Sequence, residues 1–358
     1  MSISDLTTKA VESILDFFQV KDTDTGEFFV ATEQDVLDTY RLTPLPATLE
    51  IDYTGKLPFA FPPLAVSSAI GFVLPAAAPG DQIITQVDGV SVINSIAFND
   101  DLNMLLTLAF PDLGALPTGN ISLNGGANLT SFSAPLLTYC GGQVSFSGPA
   151  ITTFDLPLLR IVGTNFTLNG MPLLTAINLP SLETVLGSFG IGQLGVMTSV
   201  TSLSIPNLKR IGGTFQVSGL NAAFTSFSAP SVIYFGGNLT LLNNPGLATV
   251  SCPKVILYDA NLSFQTGNGN LASVVLGTPG TLQKITGSTL NISGQKLDAA
   301  SVNGILALLV SLDGTNGTTL WGTGQTVNLS GGTSAAPSGQ GITDKATLVG
   351  RGATVTTN

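Results

Sequence analysis

The chain has 358 residues, a formal net charge of −10 and no histidine, and only 9% of its residues are charged. Lacking histidine, it lacks the commonest general base and metal ligand, and its two cysteines are too few for a disulfide scaffold. Hydrophobic residues reach 44%, yet no run of about 18 apolar residues occurs, so the expectation is a buried core and no membrane insertion.

The first residues, MSISDLTTKAVESILDFF, hold acids and no basic leader, and do not read as a secretory signal. Asp5 to Phe18 fits an amphipathic helix with Leu6, Ala10, Ile14 and Phe17 on one side. Leu45 to Gly55 reads as a strand and turn. Leu57 to Pro79, rich in Pro and Ala, reads as irregular. Asn99 to Phe110 reads as a helix covering the first coil of a repeat array, with Asp100 and Asp101 as its N-terminal charges. The acids are concentrated here. Residues 1–116 hold 16 acids and 4 bases, net −12; residues 117–297 hold 3 acids and 6 bases, net +3; residues 298–358 hold 3 acids and 2 bases, net −1. Phosphate binding needs clustered Lys and Arg, so an acidic head argues against nucleic acid. Residues 1–98 are expected to be an acidic attachment or oligomerisation domain.

From residue 118 the chain repeats itself. The copies are LTSFSAP ending at Pro135, ITTFDLP at Pro157, LTAINLP at Pro180, VTSLSIP at Pro206, FTSFSAP at Pro230 and LATVSCP at Pro253, with a looser LASVVLGTP at Pro279. The intervals run from 22 to 26 residues. Apolar residues keep the same register. Six before the proline stand Leu129, Ile151, Leu174, Val200, Phe224 and Leu247, and three before it Phe132, Phe154, Ile177, Leu203, Phe227 and Val250. Two after it stand Leu137, Leu159, Leu182, Leu208, Val232 and Val255, and five after it Cys140, Val162, Val185, Ile211, Phe235 and Tyr258. A second segment then alternates strictly, as in Phe166-Thr-Leu168, Phe215-Gln-Val217 and Leu239-Thr-Leu241. Period-2 alternation is that of a strand with one buried face. Gly-Gly pairs such as Gly212-Gly213 and Gly236-Gly237 supply a tight corner before it. One coil of about 23 residues cannot bury its own apolar side, but stacked coils can. Because Pro is excluded from a central ladder, it marks the end of each first strand. The expected fold is mainly β: a right-handed parallel β-solenoid over residues 99–297, with a non-repeat N-terminal domain.

The pattern L-x-x-L-x-x-P-x-L-x-x-I-x-G-x-L-x-I over roughly residues 118–297 resembles receptor L domains and the related repeats of fungal cell-wall glycoproteins, a branch of the leucine-rich-repeat group. The resemblance implies a leucine-rich-repeat-like solenoid and a binding role of some kind; it names no partner.

Residues 298–358 are expected to be an α/β cap on the open end. Asp298 is placed to N-cap a helix running through GILALLVSL. Trp321 to Ser330 reads as a strand, Thr343 to Gly350 as a short helix and Ala353 to Thr357 as a last strand. The stretch VNLSGGTSAAPSGQGITDKATLVGRGATVTTN resembles the C-terminal ends of tailed-phage virion proteins and of some phage-like bacterial surface proteins. That resemblance implies a fibre, spike or decoration subunit located on the virion. It would join other virion proteins through its N-terminal domain, form homo-oligomers, and touch a host-surface glycan or protein.

No catalytic, cofactor-binding or metal-binding residue is assigned, and no cofactor is expected. Glycoside hydrolysis usually needs two carboxylates about 5–9.5 Å apart. The coils hold only Asp155, Glu183 and Asp259, and the first two are offset by roughly 15 Å of strand path. Asp22, Asp24 and Glu27 in KDTDTGE lack the full calcium-loop spacing. Eight N-x-[ST] sequons stand at Asn120, Asn128, Asn165, Asn238, Asn261, Asn291, Asn316 and Asn328. Most coincide with the second strand, whose polar–apolar–polar alternation generates them. The expectation is a non-enzymatic virion protein. The alternatives are a bacterial surface leucine-rich-repeat adhesin and, further off, a capsule polysaccharide depolymerase. Cys140 and Cys252 belong to coils five steps apart, about 24 Å, and are not expected to form a disulfide.

Overall fold

The computed structural model describes residues 105–358 apart from 126–127, 193–196, 198 and 265–266, together with residues 93 and 95 and the strands between Phe18 and Asp100. By contacts the chain divides into two compact units, 1–149 and 150–358.

In the second unit each full coil carries three short strands and no helix. The first strands are Thr153–Asp155, Ala176–Asn178, Ser202–Ser204, Ser226–Ser228, Thr249–Ser251 and Ser273–Val275. A two-residue bridging strand follows each proline, from Ile161–Val162 through Thr184–Val185, Arg210–Ile211, Tyr234–Phe235 and Leu257–Tyr258 to Lys284–Ile285. The third strands form the longest ladder: Phe166–Asn169, Phe189–Ile191, Phe215–Ser218, Leu239–Leu242, Leu262–Ser263, Thr289–Asn291, Thr326–Asn328 and Thr354–Thr356. Every pairing in it is parallel and in register. Each coil thus lays its strands on the strands of the coil before it, forming a parallel β-solenoid.

In the first unit Ile96–Asp100, Ile121–Gly125 and Val144–Ser147 stack in parallel in the same manner. Ile83–Asp88, Leu105–Ala109 and Ser131–Ser133 form a second parallel ladder. A smaller sheet joins Phe18–Lys21 antiparallel to Phe28–Val30 and Thr48–Tyr53, and the last of these runs parallel to Ala69–Val73.

Three expectations are corrected. Asn99 to Phe110 is not a helix: Ile96–Asp100 and Leu105–Ala109 are strands of the ladders, so coil-like pairing begins before residue 99. Asp100 therefore ends a strand, opposite Gly125, and is no helix N-terminal charge; Asp101 lies outside the described residues. Leu57 to Pro79 is not wholly irregular, since Phe59–Ala60 and Ala69–Val73 are strands. The strand expected from Trp321 to Ser330 is confined to Thr326–Asn328, and Trp321 is buried ahead of it. The strand expected near residue 50 is present as Thr48–Tyr53. Apart from Phe18, which begins a strand, the helix expected over 5–18 lies outside the described residues.

The co-registered apolar columns are buried, Leu203 alone being half-buried. Leu203 sits where the first-strand ladder is interrupted between Ser202–Ser204 and Ser226–Ser228. Inside the coils, aromatic rings stack along the axis. Phe166 and Phe189 lie 4.9 Å apart, Phe189 and Phe215 5.0 Å, and Phe235 and Tyr258 5.3 Å, all within 9° of parallel. These separations are near the ~4.8 Å spacing of paired strands, so the ladder dictates the ring stack.

The corners complete the coil. A Cβ on Gly212 would overlap the carbonyl oxygen of Leu186, and one on Gly236 that of Gly212, so glycine is required where the chain of one coil crosses closely over the next. After each of the first six third strands the backbone turns through a left-handed residue. That residue is glycine at 170, 192, 219, 267 and 294, and Asn243 at φ 55°. Asparagines then bind coil to coil. The Asn268 Oδ1 accepts from Asn244 N–H (2.9 Å), and its Nδ2 donates to the carbonyls of Leu241 and Phe264. Asn244 repeats the arrangement one coil earlier, accepting from Leu220 N–H (3.2 Å) and donating to Val217 O (3.0 Å). Both are fully buried. This polar column satisfies backbone groups that the turn removes from the ladder.

The C-terminal segment extends the solenoid while adding two helices, α1 (Ala299–Val310) and α2 (Gln340–Gly350). Asp298 caps α1 by accepting from Ser301 N–H at 2.7 Å, as expected. The Ser301 Oγ accepts from Val274 N–H (3.0 Å), so α1 covers the last strand of its ladder. Arg351 donates to the carbonyls of Val310 (2.9 Å) and Leu312 (3.2 Å), closing the C-terminal end of α1.

Cys140 and Cys252 are buried free thiols. Burial pushes Cys140 up to about 11 and Cys252 up to about 12. At pH 8 both should therefore resist a thiol-specific colorimetric reagent in the native protein and react stoichiometrically on unfolding. A thiol that reacts at once in the native state would place its residue outside the core.

Candidate interaction surface

Charge is almost excluded from the coils, and what remains is sorted onto one side. The segment from each proline to the residue that follows its bridging strand carries Arg160, Glu183, Lys209, Arg210, Lys254, Asp259 and Lys284. These are seven of the nine charged residues between 117 and 297; the others are Asp155 and Lys296. Because the coils stack in register, Arg160, Glu183 and Lys209 each occupy the third position after their proline and become neighbours. Glu183 lies between the two cations. Arg160 Nη2 is 2.6 Å from its Oε1, and Lys209 Nζ is 2.8 Å from its Oε2.

The next register position holds Ile161, Thr184, Arg210, Tyr234, Leu257 and Lys284. The Arg210 guanidinium sits 4.2 Å above the Tyr234 ring, within cation–π range. Asp259 accepts from Thr286 Oγ1 at 2.9 Å, and the Tyr234 hydroxyl lies 3.5 Å from its other oxygen. Among these polar groups stand exposed apolar side chains: Leu158, Ile161, Leu186 and Ile233.

Hydrogen bonds from Lys209 first, and then Arg160, hold the Glu183 carboxyl below its usual range. The folded value lies below the unfolded one. Its contribution is thus present above the ordinary glutamate pKa, about 4.3, and lost as pH falls through the folded value. Carboxyl-resolved NMR titration should give a Glu183 midpoint below that of an unpaired glutamate, moving upward in Lys209→Ala. An unmoved midpoint would mean that the ion pair does not persist in solution.

Catalytic geometry does not emerge on this face. Glu183 and Asp259 are three coils apart, about 14 Å at ~4.8 Å per step, beyond the separation that hydrolytic carboxylate pairs use. Asp155 lies on a first strand, away from the bridging side. Among the described residues no group of three or more His, Cys, Asp or Glu is placed to hold a metal, and no helix is long and apolar enough to cross a membrane. Asp22, Asp24 and Glu27 lie outside the described residues. A cleft of about 230 Å³ lies between α1 and the strand Ser273–Val275, bordered by Val274, Leu276, Asp298, Ser301, Ile305 and Leu308. It is smaller than the usual ligand cavity, and its Asp298 and Ser301 are already engaged in capping.

Four sequon asparagines have a structural use. Asn120, Asn165, Asn238 and Asn261 each accept, through Oδ1, from a backbone N–H of the following coil, at Gln143 (2.8 Å), Ser188 (2.8 Å), Asn261 (3.1 Å) and Thr289 (2.9 Å). Asn291 and Asn328 each accept from the N–H two residues on. The first four carboxamides hold the corner that enters the third strand, and those of Asn291 and Asn328 hold the turn that leaves it.

No family model, no curated protein and no solved structure matches the chain.

Proposed function

We propose that the chain is a non-enzymatic structural and binding protein of a phage virion: a fibre, spike or decoration subunit whose solenoid presents the bridging face outward. The observation that carries this reading is the concentration of charge on one face of the coils, where seven of the nine charged residues between 117 and 297 stand beside the exposed Leu158, Ile161, Leu186 and Ile233. Rods of stacked parallel coils are suited to display, since each coil contacts only its neighbours and spacing is uniform. The resemblance of residues 327–358 to virion proteins supplies the setting. In this reading the coils are right-handed, as parallel crossover connections generally are, and belong to the leucine-rich-repeat type. The acidic region 1–98 is the part that joins the assembly, and the subunit is oligomeric.

Density-gradient-purified particles from the source culture test the assignment. Mass spectrometry should recover peptides of this chain at structural-protein stoichiometry. Recovery from the bacterial envelope in cells that make no particles would instead support a surface adhesin. The separation of Glu183 from Asp259 disfavours the capsule depolymerase.

A further inference from the structure

We propose that the bridging face of residues 158–286 docks the acidic N-terminal third of a second copy of this chain. The proposal rests on the reading above, in which the protein assembles with itself. Arg160, Lys209, Arg210, Lys254 and Lys284 against Glu183 and Asp259 give this face a net charge of +3. Residues 1–116 of the same chain carry −12. Opposite fields of this kind steer association and set its register.

The face also has the make-up of a protein interface. Leu158, Ile161, Leu186 and Ile233 are 43%, 36%, 55% and 42% exposed, and they stand beside an arginine stacked on a tyrosine. Arginine, aromatics and apolar groups ringed by charge are typical of such surfaces. A continuous polyanion fits less well. Glu183 and Asp259, set among the cations, would repel it, and the four apolar groups would find no counterpart. The N-terminal sequence, acidic overall but carrying Lys9, Lys21, Arg41 and Lys56 and rich in apolar residues, supplies partners for both. The contact joins different surfaces of two copies: made reciprocally by one pair it closes a two-fold dimer, and made in one direction it builds a ring or a filament.

The test uses the full-length protein, prepared with natural nitrogen and with 15N and mixed in equal amounts. A zero-length carbodiimide reagent is applied at low salt and the cross-linked peptides are sequenced. The expected products join Lys254 or Lys284 to carboxylates within residues 1–116 in mixed-isotope pairs. They should fall several-fold at about 0.5 M salt, where charges are screened beyond a few ångströms. The link between Lys209 and Glu183, which lie within one chain, should appear only in single-isotope pairs and serves as the internal control. Arg160→Glu/Lys209→Glu/Arg210→Glu should abolish the mixed pairs while its circular dichroism stays that of the parent. Links from these lysines to residues 1–116 that are only single-isotope overturn the proposal, as does their absence. So does loss of binding to a soluble anionic polysaccharide such as heparin in that variant when the parent shows no mixed pairs. Any of these results leaves the particle assignment intact, because that is decided by the contents of purified particles.

Discussion

Phe215→Ala is expected to destabilise the solenoid by about 3–5 kcal/mol, the range for deleting a buried phenylalanine ring. Phe215 is fully buried. Its ring lies 5.0 Å from Phe189, 5.2 Å from Phe227 and 5.8 Å from Phe235. It therefore links the ring column of the third strands to the first and bridging strands. Truncation removes apolar burial and leaves a cavity that cannot collapse, because the strands on either side are fixed by their ladders. Chemical denaturation followed by circular dichroism measures the loss. Phe215→Leu, which keeps much of the volume, should lose far less, within about 1.5 kcal/mol. Since each coil contacts only its neighbours, the damaged stack can also unfold in parts, and a broadened transition is an expected companion of the shift. An alanine variant as stable as the parent would mean that the ring column is not the core.

Asn268→Ala is expected to cost about 1–3 kcal/mol, although the side chain is small and polar. Its removal takes the acceptor from the buried N–H of Asn244, at ~1–3 kcal/mol for an unsatisfied group, and a donor from the carbonyl of Leu241. The carbonyl of Phe264 keeps a partner in Gln295 Nε2, at 3.0 Å. Asn207→Ala is the control. Its Nδ2 donates to Pro180 O at 2.7 Å but is exposed, so water can replace it and the loss should stay within about 1 kcal/mol. Equal losses at the two sites would show that the buried asparagine column contributes no more than surface hydrogen bonds.

The solenoid was legible because its signal is carried many times over. Aligning the copies on the proline puts Leu, Ile, Val and Phe into columns that only stacking explains. Cap residue Asp298 was legible for a local reason, since an acid ahead of an apolar run has one obvious use. Asn99 to Phe110 was misread because its leucines suit a helix as well as a strand. The decision lies in partners far along the chain, Ile96 opposite Ile121 and Leu108 opposite Phe132, and such pairing overrides local propensity. Asn244 and Asn268 were missed because an asparagine beside a glycine reads as a turn former. Its coil-to-coil role exists only once the turns are superposed. The charged face had a signal that went unused. Arg160, Glu183 and Lys209 are 23 and 26 residues apart, and all stand three after a proline. The alignment that revealed the core also places them side by side.

Stacking at one strand spacing per coil is tested most directly by pulsed electron–electron resonance on nitroxide pairs along the third strands. Thr167, Gly190, Gln216, Thr240, Ser263, Asn291 and Asn328 occupy one register position, pairing in that order. The two native cysteines are buried and can stay in place. With one label at Thr167 and the other at Ser263, Asn291 or Asn328, backbone separations should be about 19, 24 and 29 Å, rising by ~4.8 Å per coil. Mean label distances should increase by that same step. Distances that fail to lengthen from one pair to the next would contradict the stacked solenoid.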